Sequence, residues 1–284
     1  MANIRRSPIW PDPSVKPPFG ATQINWGHPL VPSSAWFFST PGGVNDTSDP
    51  QNIFDAVTGR RATGNYTAGD FTYSPDGRFG IAFEQATEIG DRYIEFGDSD
   101  TLIGAGPNTT IVLGHQKTDT TNRTMGWGCS GTSRCGGHIP YSDGTVYWDF
   151  NGSGEGSTRI SVGGLSFTRM AVWVFTAGSR GMEIWQDGVL RASHGTNPGA
   201  RTLDGVQFRN LTANGGSGDL NRWAFLYIYK DRQLLAGDSK WISAEPFIFL
   251  QPVIQRRWFM PRAVEAPAGS KVTPRSLGLL GVGG

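Results

Sequence analysis

The sequence predicts an all-β protein, a sandwich or jelly roll, and three observations carry that expectation. Short apolar and β-branched runs recur at intervals of roughly ten to twenty residues, separated by turn-forming dipeptides. The 3.6-residue apolar period of a helix is nearly absent. The 284 residues include 40 Gly and 18 Pro, which suit tight turns, while 16 Phe and 10 Trp supply the apolar surface a core needs.

The chain opens on a Pro-rich stretch, residues 1–22, with Pro8, Pro11, Pro13, Pro17 and Pro18. Proline lacks an amide hydrogen and biases its predecessor towards extended backbone, so this segment reads as an extended arm without a core of its own. Ile4, Ile9, Trp10 and Phe19 give it apolar anchors for a neighbouring surface. Strand runs follow at 35–38, 80–83, 92–96, 109–113 and 145–150. Residues 169–175 are apolar on both parities, the mark of a strand covered on both faces. The run 182–186 meets Asp187-Gly188 and resumes at 189–191; Asp-Gly between two β runs signals a hairpin turn with positive φ at both central residues.

The clearest strand is 222–230, with Trp223, Phe225, Tyr227 and Tyr229 expected on one face and Ala224, Leu226 and Ile228 on the other. One short helix is expected within 231–244, with Leu234, Leu235 and Trp241 inward and its end at Glu245-Pro246. Beyond residue 252 the β pattern stops. Arg256, Arg257, Trp258 and Phe259 begin a basic and aromatic stretch that runs into a Pro- and Gly-rich end, so 253–284 reads as a second arm, ordered by a partner's surface. The β body is therefore 23–252.

Bulk properties narrow the partners. The formal net charge of +1 gives no basis for general polyanion binding, so no nucleic-acid partner is expected. No apolar run reaches the ~18 residues that span a bilayer. The first residues lack the apolar core of a secretion signal, so the protein is expected to be made and kept in a cytosol, or released by lysis rather than secretion. Two cysteines, Cys129 and Cys135, are too few for a disulfide framework. Reduced thiols in a Gly-rich loop, a local disulfide and a zinc site completed by His115 and His138 are the states open to them.

Three places resemble the LamG or concanavalin-like lectin and glucanase superfamily. Residues 35–38 followed by 52–60, ending Asp55-Ala56-Val57-Thr58-Gly59-Arg60, are similar to that family's opening strand and its Asp-x-Ser/Thr-Gly-Arg loop. Residues 182–190 resemble its Asp-Gly hairpin. Residues 221–229, the short helix and 244–249 resemble its closing strand and the ending of phage-encoded members. The resemblance spans 23–252 and implies a concanavalin-like jelly roll with extended N- and C-terminal arms. Its phage-type ending implies a virion protein assembled in a host cytoplasm, with other virion subunits and further copies of itself as partners.

Glycosidases of this fold set carboxylates on one sheet face. The nearest match is Glu88, Asp91 and Glu95, but the odd spacing of Glu88 and Asp91 puts those two on opposite faces of a strand and Gly90 interrupts it. No Gly-x-Ser-x-Gly elbow accompanies the four histidines. The Gly-rich 215–219 opens no helix, so it is a connection rather than a phosphate cradle. Asp46, Asp49 and Asp55 supply hard oxygen ligands for calcium in one rim loop, and Asp is equally a turn residue. Trp127, Trp148 and Trp185 are the candidate glycan platforms, set against their use as core aromatics. The expectation is thus a non-enzymatic virion structural protein, such as a capsid decoration or tail-associated subunit, displaying a glycan-binding jelly roll. A free-standing carbohydrate-binding module or adhesin is the alternative, and a glycoside hydrolase the third reading.

Overall fold

A computed structural model describes residues 14, 22–38, 53–65, 71–85, 93–117, 124–129, 134–152, 157–203, 205, 207–212 and 221–253. The chain divides into two units, residues 1–253 and 254–284, and the described residues all belong to the first. Asp46, Asp49, Trp10, Phe19, Arg256, Arg257, Trp258 and Phe259 lie outside the described residues.

In chain order the elements are β1 (Thr22–Ile24), β2 (Ser34–Phe37), β3 (Thr63–Asn65), β4 (Phe71–Asp76), β5 (Gly80–Gln85), β6 (Tyr93–Asp98), α1 (Ser99–Leu102), β7 (Thr109–Lys117), β8 (Thr124–Cys129) and β9 (Cys135–His138). They continue as β10 (Val146–Phe150), β11 (Arg159–Val162), β12 (Ala171–Gly178), β13 (Gly181–Gln186), β14 (Val189–His194), β15 (Gln207–Thr212), β16 (Asn221–Lys230), α2 (Ala236–Ala244) and β17 (Leu250–Pro252). Two large antiparallel sheets face each other. One runs β14-β13-β12-β7-β16-β5-β4, with β2 also on β16, making eight strands; the other runs β11-β10-β9-β8-β15-β6-β3. β1 and β17 form a separate two-stranded sheet.

The eight-stranded sheet is apolar on both sides because its central strands are. On β12, Trp173 and Phe175 join the core between the sheets while Val172 and Val174 join a second apolar layer on the far side. That outer layer is built by Leu30, Phe79, Leu234, Ile242 of α2 and residues 247–250. The hairpin expected at Asp187-Gly188 is present, with φ of 50° and 76°. The face assignment of β16 needs one correction. A register shift between Trp223 and Phe225 interrupts strict alternation, so Trp223 joins Leu226 and Ile228 in the inner core, while Ala224, Phe225, Tyr227 and Tyr229 line the outer layer. One extra residue in a strand reverses every parity beyond it.

The helix ends at Glu245 as expected, but its orientation differs. Ser239, Ile242 and Ser243 are its buried residues, whereas Leu235 and Trp241 are exposed. Asp55 fastens the loop after β2. Its carboxylate accepts from the Ser34 hydroxyl (2.9 Å), the Ala35 amide (2.8 Å), the Val57 amide (2.9 Å) and the Thr58 hydroxyl (2.6 Å). Four donors on two buried oxygens leave Asp55 a structural anchor, which corrects its reading as a calcium ligand.

Candidate functional site

The seven-stranded sheet alternates. On β10, Val146, Trp148 and Phe150 enter the inter-sheet core, so Tyr147 and Asp149 point to the other side. The same parity on β6 buries Ile94 and Phe96 and turns Tyr93 and Glu95 outward. Strand registers carry one outward row across the whole sheet. Arg159 pairs with Asp149, Asp149 with Gly136, Gly136 with Gly128, Gly128 with Arg209, Arg209 with Glu95, and Glu95 with Thr63. The next row sets Ser161, Tyr147 and His138 side by side. The far face of this sheet is therefore polar and aromatic where its companion's is apolar.

Asp149 organises one end of it. The carboxylate is fully buried and accepts from Arg159 Nε (2.5 Å) and Nη2 (2.8 Å), with Arg134 Nε 3.0 Å away. The two-pronged Arg159 contact is charge-assisted and fixes that guanidinium, while Arg134 adds an ion pair. Arg134 Nη2 also meets His138 Nε2 at 2.8 Å, and the Arg159 guanidinium sits 4.9 Å over the Tyr147 ring. Tyr141 lies edge-to-face against both His138 (5.0 Å) and Tyr147 (5.7 Å). The Tyr147 hydroxyl donates to Asp143 (2.8 Å). Desolvation raises the Asp143 carboxyl, but the hydrogen bonds from Tyr147 and Thr145 together outweigh it and hold the group below the usual carboxylate range. At the other end Arg209 stacks 4.1 Å over Tyr93 and lies 3.5 Å from Glu95. Half-buried aromatic rings beside rigid planar donors are the groups that grip hydroxyl-rich ligands.

The predicted platforms are elsewhere. Trp127 packs among Trp148, Phe175 and Phe208, and Trp148 Nε1 donates to the Thr176 carbonyl (2.9 Å), both rings being wholly inside the sandwich. Trp185 is buried in the outer layer of the eight-stranded sheet, its Nε1 donating to Glu183 (2.9 Å). This corrects their reading as glycan-binding surfaces: strand parity sends Trp127 and Trp148 into the inter-sheet core, and Trp185 is covered by the outer apolar layer. The exposed tryptophans among the described residues are Trp26 and Trp241.

Cys129 and Cys135 face each other across β8 and β9 as free thiols on the core side. The hydrogen bond with Cys135, aided by Arg201, outweighs burial and lowers Cys129 to about 7, while burial pushes Cys135 up. His138 lies on the opposite face of β9, so the zinc set drawn from these cysteines does not come together. Among the described residues no group of three His, Cys, Asp or Glu is placed to hold a metal, and no helix is long and apolar enough to cross a membrane. Of Glu88, Asp91 and Glu95, only Glu95 falls among the described residues.

No family model and no curated protein matches the sequence. Solved structures do match the fold. Domain 4 of AbnA, a GH43 extracellular arabinanase from Geobacillus stearothermophilus in complex with arabinotriose, gives a TM-score of 0.54 at 14% identity, over 78% of this chain and 99% of that one. The botulinum neurotoxin serotype G binding domain gives 0.55 at 14% identity, over 75% of this chain and 50% of that one. The serotype D ligand-binding domain in complex with N-acetylneuraminic acid gives 0.52 at 11%, again over 75% of this chain and 50% of that one. At such identities the likeness is one of architecture: this chain is an antiparallel β-sandwich of the jelly-roll, concanavalin-like kind.

Proposed function

We propose that this chain is a non-enzymatic glycan-binding module whose site is the polar face of the seven-stranded sheet. The carrying observation is the row from Arg159 and Asp149 to Arg209 and Glu95, flanked by Tyr147, Tyr141 and His138. Two of the structural neighbours were solved with a saccharide bound, arabinotriose and N-acetylneuraminic acid, which supports the ligand class. The carboxylates support the non-catalytic part. Asp149 and Glu95 stand four strands apart, about 19 Å at ~4.8 Å per strand, against the ~5–9.5 Å that glycosidase pairs need. Asp149 is also engaged by two arginines. A glycan array on the folded protein tests the reading. A defined subset of glycans should bind, and Tyr147→Ala should weaken that binding by about tenfold, the cost of one lost aromatic contact. An array silent for the folded protein overturns it.

The finer reading places this module on a virion, as a capsid decoration or other head or tail surface subunit. Its support is the sequence: two apolar but Pro- or Gly-rich segments, 1–22 and 253–284, flank the β body, the second opening with Arg256, Arg257, Trp258 and Phe259. Removing 254–284 should abolish co-sedimentation with particles while leaving glycan binding in place. Undiminished co-sedimentation removes the attachment role.

A further inference from the structure

A second surface meets the requirement that the three buried tryptophans fail. Trp241 on α2 keeps 42% of its surface exposed, and Trp26, in the turn after β1, keeps 67%. An exposed ring alone says little, but Trp241 is not a loose side chain. Its Nε1 donates to Glu245 Oε2 (2.9 Å), which fixes the indole plane, and the His28 ring packs edge-on against it at 5.4 Å. His28 is fixed in turn: its Nδ1 accepts from the Leu30 amide at 3.1 Å, which places the ring's own proton on Nε2. Partial burial lowers the His28 pKa, which favours the same unprotonated Nδ1 that the Leu30 amide requires. No hydrogen bond among the described residues uses His28 Nε2. The result is an oriented aromatic plane with a ring N–H donor and a carboxylate acceptor at its edges.

We infer that Trp241, His28 and Glu245 form a second saccharide site, which takes a neutral β-linked hexose or pentose chain whose axial C–H face stacks on the indole. A ring with equatorial hydroxyls offers a flat apolar face to Trp241, while its rim hydroxyls meet the His28 N–H and the Glu245 carboxylate. Nothing in this arrangement carries a formal positive charge at neutral pH, which favours an uncharged sugar. Trp26, two residues from His28, supplies a second exposed ring in the same turn. The site extends the glycan-binding reading to another surface, and the two fail separately.

The test is intrinsic fluorescence and calorimetric titration of the full chain with cellohexaose, laminarihexaose and xylohexaose. At least one should give a saturable indole signal. Trp241→Ala should weaken it by about tenfold or more, while Tyr147→Ala leaves it unchanged. Glu245→Gln, which keeps a hydrogen-bond acceptor for the indole, should retain most of the binding. No signal with any of the three sugars overturns the inference. So does binding that Trp241→Ala leaves intact and Tyr147→Ala removes, which would leave the sheet face as the glycan site.

Discussion

The two sheets share one core and differ in what lies on their outer sides. The eight-stranded sheet has a second apolar layer, in which Phe225 packs on Tyr227 (4.6 Å), Phe79 (5.4 Å) and Phe247 (5.4 Å). The seven-stranded sheet has Tyr147, Arg159, Arg209 and Glu95 in the equivalent position. One sheet is packed against apolar side chains on both sides and is scaffold; among the described residues the other has apolar packing on one side, and its polar far side is the proposed ligand face. The contrast breaks or holds on a pair of substitutions. Phe225→Ala should cost about 3–5 kcal/mol in chemical denaturation, the range for a large aromatic lost from a packed interior. Tyr147→Ala should cost about 1 kcal/mol or less, as for a partly exposed residue. Equal losses would mean that both outer faces are core.

The polar face still has one costly member. Asp149 is fully buried beneath two arginines whose side chains keep 29% and 21% of their surface exposed. Removing one partner of a wholly buried ion pair costs ~3–5 kcal/mol. Because both guanidinium groups keep a path to water, Asp149→Asn should cost less, about 2–3 kcal/mol. Glycan binding should fall along with stability, because Arg134 and Arg159 lose the group that orients them. A denaturation midpoint that does not move would show that the arginines are held by other contacts, and would detach Asp149 from the site.

The scaffold was easier to read from sequence than the site, for a physical reason. β12 announces itself because a strand covered on both faces must be apolar on both parities. The Asp187-Gly188 turn and the helix end at Glu245-Pro246 are local chemistry. The alternation of Val146, Trp148 and Phe150 with Tyr147 and Asp149 is legible too, and it marks a sheet face in contact with something polar. The rest is non-local. Gly128 meets Arg209, and Arg209 meets Glu95, through pairings between strands far apart in the chain, and no composition or spacing specifies them. The tryptophan assignments failed because type alone does not set direction. Trp127 and Trp148 are turned inward by parity, and Trp241 is turned outward on a helix whose buried positions are the small Ser239 and Ser243 with Ile242. The shift at Trp223 and Phe225 reverses half of β16, and a bulge leaves no mark in an unbroken aromatic run.

The last predicted effect is small near neutral pH, appears only on acidification and belongs to the scaffold sheet. His115, on β7, is wholly buried with its ring 5.6 Å from Trp223. Burial lowers its pKa from 6.5 to about 3, opposed by the neighbouring Asn221 side chain and reinforced by the charge of Lys117. The unfolded chain therefore binds this proton between about pH 6.5 and pH 3 while the folded chain does not. Stability from this group is complete well above pH 6.5, declines as pH falls through that value, and stops declining near pH 3. Between about pH 7.5 and pH 5.5 the loss should be about 1.4 kcal/mol, growing by a similar amount for each further unit. Denaturation of the parent and of His115→Gln at matched pH isolates the term, since the parent should lose the extra stability on acidification and the variant should not. Parallel pH profiles for the two proteins would mean that His115 takes up a proton inside the folded sandwich. The inner side of the eight-stranded sheet would then have to be wetter at that end of β7 than its packing implies, and the distinction between a sheet with apolar packing on both sides and a sheet with it on one would no longer hold there.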